Sequence, residues 1–137
     1  MDTGGTMGIT NVPAFLGGRG DISALLDHID YVAGKFGVDH VTIGTDRAYI
    51  SSSAERETAK IPRRARQRTR WEALWQQNDA IYDPQWRQAH QVQSLAWTNW
   101  PLFTVGLVQR GYSDDDIRKI VGGNILRVIR EAWPTAQ

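Results

Sequence analysis

The sequence contains no cysteine among its 137 residues, which excludes disulfide bonds, thiolate metal sites and a cysteine nucleophile. It also lacks a dominant charge, because 16 basic residues oppose 15 acidic ones and leave a net charge of +1. No run approaches the roughly 18 consecutive apolar residues of a membrane-spanning helix. The first residues lack the basic start and apolar core of a signal peptide. We therefore expect no membrane span, no nucleic-acid partner and, by default, a cytoplasmic location.

Histidine is scarce, and His28, His40 and His90 show neither the H-x-H nor the H-E-x-x-H spacing of a zinc site. His28 borders the apolar stripe of a predicted helix, where a hydrogen-bonded structural histidine is the usual case. We expect His40 to open a strand and His90 to lie in solvent. The serine-hydrolase motif G-x-S-x-G and the phosphate-binding motif G-x-x-x-x-G-K-[ST] are also absent. These residues predict no self-contained metal, nucleophile or phosphate site.

Two strands and one amphipathic helix are predicted before residue 47. Residues 4–15 form a short apolar segment between glycines and Pro13, and a glycine-rich loop follows. Asp21 is a typical helix N-cap and Gly37 a typical C-cap. Between them, the apolar residues have helical spacing: Ile22, Leu25, Leu26, Ile29, Ala33 and Phe36. Because a second strand follows over 40–46, the order predicts a βαβ unit and a parallel sheet.

The stretch 47–99 interrupts this order. It contains a serine run, a basic run over 60–70 and a segment in which Trp71, Leu74 and Trp75 have helical spacing. So long a stretch is unusual for a plain loop, and we expect some helix within it. Basic residues beside tryptophan would suit single-stranded nucleic acid. The near-zero net charge instead favours a solvated insertion.

Helical periodicity returns over 99–133. Pro101 is typical of a first helical turn and Gly111 of a helix end. Ser113 has the spacing of a capping residue before three aspartates, which complement the positive end of a helix dipole. Gly122-Gly123 then interrupts the apolar stripe. The pattern predicts helix, turn and helix packed against the sheet.

Asp46 follows the second predicted strand, after the apolar run Val41-Thr42-Ile43 and then Gly44-Thr45. In α/β proteins catalytic groups collect at the carboxyl ends of strands, where a carboxylate can act as a general base or bind a metal. Aspartate also ends strands by hydrogen bonding to its own backbone. The pattern alone leaves both interpretations open.

Two segments resemble the C-terminal part of the renal (membrane) dipeptidase family, whose members are zinc peptidases built on a (β/α)8 barrel. One is LLDHIDYVAGKFGVDHVTIGTD, residues 25–46, and the other is WPLFTVGLVQRGYSDDDIRKIVGGNILRVIREAW, which is similar over 100–131. The opening GGTMGIT is more loosely similar to the preceding strand. The resemblance implies an α/β fold that supplies the last two barrel strands with their helices. It would form a single partial domain over 1–137 with a partly helical insertion over 47–99.

The resemblance also assigns roles to individual residues. Asp46 matches the family's acid/base aspartate, which would hold or pass a proton as metal-bound water attacks the peptide. Asn124 and Arg127 match a GGN-x-x-R segment, which we interpret as tying the last helix to the barrel wall. His28 matches a histidine that is not a metal ligand in the family.

The metal ligands of the family have no counterpart in this sequence. Its two zinc ions are held by an H-x-D pair, a glutamate and two histidines, all of which would precede Met1. The loop after Asp46 also differs, because Arg47-Ala48-Tyr49 replaces the usual acidic residue and glycine. Two strands cannot close a barrel, so we expect an open sheet edge and an uncovered apolar face.

The leading hypothesis is a C-terminal segment of a zinc-dependent dipeptidase, which would take a dipeptide substrate once the rest of the barrel is present. For the chain alone we expect no zinc cofactor and no dipeptide hydrolysis. The alternative is a non-catalytic binding or oligomerisation module. Its open edge and tryptophan-rich insertion would then contact a second copy or a complementing chain.

Overall fold

The structure is a computed structural model that describes residues 3–46, 56, 59–60, 76 and 78–133. The predicted helical face of Trp71, Leu74 and Trp75 lies outside the described residues, as does the basic run after Lys60. Helices and strands are mixed along the described residues, which agrees with the α/β class predicted from the sequence.

A parallel βαβ unit forms the first part of the fold. Strand β1, Met7–Thr10, pairs with strand β2, Val41–Gly44, in a register that aligns Met7 with Val41 and Thr10 with Gly44. Helices α1, Pro13–Leu16, and α2, Ile22–Phe36, connect the two strands. The predicted order of strand, helix and strand is confirmed.

Helix α2 begins and ends at the predicted caps. The Asp21 carboxylate accepts hydrogen bonds from the backbone N–H groups of Ser23, at 2.9 Å, and Ala24, at 3.3 Å. Gly37 ends the helix with a φ of 94°, a left-handed conformation that favours glycine. A short 3₁₀ turn, Val38–His40, follows, so β2 starts at Val41 rather than at His40 as predicted.

The C-terminal part of the chain is helical. It comprises 3₁₀ turns at Ala80–Tyr82, Pro84–Arg87 and Trp97–Asn99, and helices α3, Ala89–Ser94, α4, Trp100–Gln109, α5, Asp114–Arg118, and α6, Asn124–Ala132. Pro101 lies in the first turn of α4, and Gly111 follows that helix with a φ of 83°. The Ser113 hydroxyl accepts the Asp116 N–H at 3.2 Å and so caps α5. The predicted starts and stops are confirmed.

One apolar cluster joins these elements. Its fully buried members come from α2, β2, the segment before α4, α4 itself and the turn after α5: Leu25, Ile29, Val41, Leu95, Phe103, Leu107 and Ile120. Each such side chain contributes about 1.5–3 kcal/mol by leaving water. Helices α2 and α4 approach closely at Gly106, where an added Cβ would lie 2.6 Å from Leu26 Cδ1.

Polar contacts on the outer side reinforce the packing of α2 against α4. Arg110 forms ion pairs with Asp27, at 2.7 Å, and with Asp30. The Tyr112 hydroxyl donates to the other Asp30 oxygen at 2.9 Å. Burial, and then this hydrogen bond, raise the pKa of the Tyr112 hydroxyl above its ordinary value.

A widened turn, Lys119–Gly123, connects α5 to α6 where the sequence predicted a break. At Gly123 a Cβ would lie 3.0 Å from the Arg118 carbonyl oxygen, so a side chain there would require the backbone to shift slightly. The Thr42 hydroxyl donates to the Ile120 carbonyl of this turn at 3.2 Å. Strand β2 therefore contacts the turn directly.

Two side chains of α6 hold the starts of both strands. The Asn124 amide, 2% exposed, donates to the carbonyls of Val38, at 2.7 Å, and Val41, at 2.8 Å. The Arg127 guanidinium donates to the carbonyls of Gly4, at 2.8 Å, and Asp39, at 3.0 Å. The interpretation of Asn124 and Arg127 as structural ties of the last helix is confirmed.

We predict that Asn124→Ala lowers the free energy of unfolding by about 2–4 kcal/mol, because it leaves two carbonyls without their donor. Asn78→Ala is the control, since Asn78 is exposed and its substitution should cost less than about 0.5 kcal/mol. Urea unfolding monitored by circular dichroism measures both. Equal losses for the two variants would contradict the role given to Asn124.

The end of the 47–99 insertion packs on the loop between α1 and α2. The Gln91 side chain, almost fully buried, donates to the Arg19 carbonyl at 2.9 Å. The Ser94 hydroxyl accepts the Ile22 N–H at 3.2 Å. Gly20 lies so close that an added Cβ would be 3.0 Å from both Gln91 Nε2 and Trp86 Cε3. Helix α3 therefore lies against the start of α2.

Two glycines of this loop provide a matched pair. Gly18 and Gly20 have φ values of 52° and 60°, but an added Cβ meets nothing within 4 Å at Gly18. Gly18→Ala should cost about 1 kcal/mol for the left-handed backbone alone. Gly20→Ala should cost about 2–3 kcal/mol because it also displaces Trp86 or Gln91. Unfolding curves that coincide for the two variants would contradict the packing described.

Candidate active site

Asp46 lies at the carboxyl end of the sheet. Strand β2 ends at Gly44, and Thr45 and Asp46 continue past it. Because the strands are parallel, β1 ends at the same edge, and the Asn11 N–H donates to the Thr45 carbonyl at 3.3 Å. The structure thus places Asp46 at the edge where α/β proteins assemble their sites.

The backbone and surroundings of Asp46 favour an available carboxylate. Its φ is 47°, which makes it the residue other than glycine with a positive φ in the described part of the chain. Such conformations cost energy and concentrate at functional sites. Asp46 is exposed, and its carboxylate has neither a hydrogen bond nor an ion pair with the described residues. In the alternative interpretation, the Asp46 carboxylate hydrogen bonds to the neighbouring backbone. No such hydrogen bond occurs among the described residues.

Asn11 belongs to the same edge and was missed by the sequence analysis. It is fully buried directly after β1, and its amide donates to the Leu95 carbonyl at 3.0 Å. It therefore connects the strand ends to the segment that follows α3. The signal was available, because a polar residue directly after a short apolar strand is the same pattern that drew attention to Asp46.

The histidines do not approach Asp46. His28 Nε2 donates to the Leu16 carbonyl at 2.9 Å, which confirms the prediction of a hydrogen-bonded structural histidine. His40 lies at the other end of β2 and donates through Nδ1 to the Gly5 carbonyl at 2.8 Å. His90 is exposed, although in α3 rather than in irregular chain. His28 and His40 are thus held by hydrogen bonds to nearby carbonyls, and His90 lies in solvent.

The sequence analysis missed one metal-like spacing, and the structure does not bring its two residues together. His28 and Asp30 stand as H-x-D, but on a helix two such residues do not face each other. His28 contacts Leu16, whereas Asp30 contacts Arg110 and Tyr112. No group of three histidine, aspartate or glutamate side chains that could hold a metal occurs in the described part of the chain. These residues do not fit a zinc site.

Comparison with known proteins finds a similarity for the last part of the chain. Residues 90–137 match the family model of membrane dipeptidase (peptidase family M19). The predicted resemblance is confirmed for this segment, whereas the resemblance of residues 25–46 stays a prediction. The match contains Asn124 and Arg127, which tie the last helix of this dipeptidase-like segment to the strand starts, whereas Asp46 lies before it. No curated protein and no solved structure matches the chain.

The matched family consists of peptidases, whose substrates as a class are peptides. Among the described residues, no helix combines the length and the apolar character needed to cross a membrane. The last helix of the matched segment is held at the starts of the two strands, and Asp46 lies at their opposite ends.

The two interpretations of Asp46 make opposite predictions for Asp46→Gly. If the carboxylate makes no structural contact, glycine relieves the left-handed backbone, and the free energy of unfolding should stay the same or rise by up to about 1 kcal/mol. Asp79→Gly is the contrast, because the Asp79 carboxylate accepts the Ile81 N–H at 3.0 Å and its loss should lower stability by a few tenths of a kcal/mol. Destabilisation by Asp46→Gly of about 1 kcal/mol would favour the local cap.

Proposed function

We propose that this chain is the C-terminal segment of a zinc-dependent, dipeptidase-like peptidase and that Asp46 is its catalytic carboxylate. The match of residues 90–137 to the membrane dipeptidase family carries the proposal. The position of Asp46 supports it, because an exposed carboxylate with a strained backbone stands at the carboxyl end of a parallel strand.

The packing supports a larger parent fold. Parallel sheets are normally covered on both faces, and two parallel strands are few for an independent sheet. Helix α4 is apolar on both sides: Phe103 and Leu107 are buried, whereas Val105 and Val108 are more than half exposed. A helix that is apolar all round belongs inside a larger assembly. We infer that the chain contributes the last two strands of a (β/α)8 barrel.

The apolar side of α6 points to the same conclusion. Ile125, Leu126 and Ile129 on this helix, and Trp133 directly after it, are all at least 40% exposed. A patch of this kind marks a surface that a partner covers. In the proposal, the remainder of the barrel covers it, either in the same polypeptide or as a complementing chain.

The chemistry proposed for this chain is limited to the Asp46 carboxylate. The resemblance implies two zinc ions in the complete enzyme, but the described residues do not fit a zinc site, and their ligands would come from the rest of the barrel. Asp46 would accept a proton from the attacking water and return it to the leaving amine of the dipeptide. General acid–base catalysis of this kind contributes roughly 10²–10⁴-fold to the rate.

The test is to determine the coding sequence that precedes the Met1 codon and to express it together with this chain. The product should hydrolyse dipeptides in a zinc-dependent reaction. Asp46→Asn should lower kcat at least about 100-fold, because the amide cannot accept the proton. Asp114→Asn is the matched control, because Asp114 is exposed at the start of α5. The kcat of this variant should remain within a few-fold of that of the unmodified enzyme.

Three results would contradict the proposal. The preceding sequence could lack barrel strands and an H-x-D pair, the Asp46→Asn enzyme could keep full activity, or the pure 137-residue chain could show zinc-dependent turnover by itself. The last result would place the metal site within this chain. Isothermal titration calorimetry measures zinc binding to the pure chain, and a dipeptide hydrolysis assay on the same sample measures its turnover.

A further inference from the structure

Asn11 lies where the two strands end. The last pair in the sheet register is Thr10 with Gly44, and one further backbone hydrogen bond joins the two segments beyond it. In that bond the Asn11 N–H donates to the Thr45 carbonyl at 3.3 Å. Because Thr45 directly precedes Asp46, the backbone that leads into Asp46 is attached to the backbone that leaves β1.

The side chain of Asn11 makes a second contact, with a distant part of the chain. It is fully buried, and its amide donates to the Leu95 carbonyl at 3.0 Å across 84 positions of sequence. Leu95 is also fully buried and directly follows α3. A hydrogen bond between buried groups is costly to break, because no water replaces the lost partner. Asn11 is therefore held from the side of α3 and in turn holds Thr45.

The Thr45 carbonyl influences how the chain enters Asp46. This carbonyl and the Asp46 N–H belong to one planar peptide group. A hydrogen bond to the carbonyl restricts the orientation of that plane, and the φ angle of Asp46 describes the rotation that follows it. With the plane restricted, the φ of 47° determines the direction in which the Asp46 side chain leaves the backbone.

The left-handed backbone of Asp46 requires a restraint of this kind. At such a φ the Cβ of a residue other than glycine is crowded by the following carbonyl oxygen. Residues therefore keep this conformation only where the surrounding structure holds them in it. Among the described residues, the hydrogen bond from Asn11 to Thr45 acts directly on the peptide group that precedes Asp46.

We propose that Asn11 is a positioning residue for the catalytic carboxylate of Asp46, an inference that rests on the proposed function. Asn11 does not contact the substrate. Its buried side chain fixes the end of β1, and its backbone N–H holds the peptide group before Asp46. The carboxylate is thereby kept in one place relative to the reacting water. Such precision matters, because a displacement of about 1 Å can lower a rate roughly 100-fold.

The first test measures the Asp46 backbone by NMR in the 137-residue chain, and it requires no enzymatic activity. In the unmodified chain, the Asp46 chemical shifts and HN–Hα coupling should be those of a left-handed residue, and the Asn11 N–H should exchange slowly with solvent. Asn11→Ala, which removes the contact with Leu95, should shift the Asp46 signals toward ordinary backbone values. Identical Asp46 signals in the two chains, or a rapidly exchanging Asn11 N–H in the unmodified chain, would overturn the proposal.

Gln91→Ala is the matched control. Gln91 is also a buried amide side chain that donates to a distant carbonyl, that of Arg19 at 2.9 Å, and it belongs to α3. Both variants should lower the urea midpoint, but only Asn11→Ala should move the Asp46 signals. Equal movement in both variants would overturn the proposal. Asn11→Ser, whose side chain is one bond shorter and still polar, provides the same comparison if Asn11→Ala does not fold.

The second test uses the complete enzyme. Asn11→Ala should lower kcat about 10-fold and leave KM within about 2-fold. Because the effect acts through Asp46, the same substitution in an Asp46→Asn background should lower kcat by less than about 2-fold. Effects that multiply would overturn the proposal. A complete enzyme without dipeptidase activity would contradict the proposed function, whereas the NMR comparison decides separately whether Asn11 positions Asp46.

Discussion

The position of the last helix depends on one buried amide. The side-chain amide of Asn124 donates one hydrogen bond to the carbonyl of Val38 and one to that of Val41, at the start of β2. Those carbonyls lie where helical turn changes to strand, and such groups must be satisfied when water is excluded. Because Arg127, one turn later, holds the segment before β1 as well, a single helical turn aligns the starts of both strands. The opposite ends, with Asp46, are aligned as a result.

The sequence allowed the local elements to be predicted, and physical reasons explain why. Helix α2 has an apolar stripe and two strong caps, Asp21 and Gly37, so local periodicity and end chemistry agree. The place of Asp46 after β2 followed from the apolar run before it. The docking of α3 could not be predicted, because Gln91 and Ser94 act through single hydrogen bonds to residues about 70 positions away. Such contacts produce no periodic signal.

The edge that carries Asp46 differs from the rest of the fold in its polar contacts. Elsewhere, buried polar groups such as Asp21 and Gln91 have assigned donors or acceptors among the described residues. Asp46 is held in a left-handed backbone and has no such contact. Among the described residues, the buried side chain of Gln91 connects two parts of the fold, whereas the Asp46 carboxylate is exposed and makes no such connection.

The contacts of Arg127 also have a topological consequence. Thr3, Gly4 and Gly5 border the same small cavity as Val128, Glu131 and Ala132, so the segment before β1 lies against the last turn of α6. Arg127 therefore joins the segment before the first strand of the sheet to the last described helix, although more than 120 positions separate them in sequence. A change in the position of α6 would thus be transmitted directly to the backbone that leads into β1.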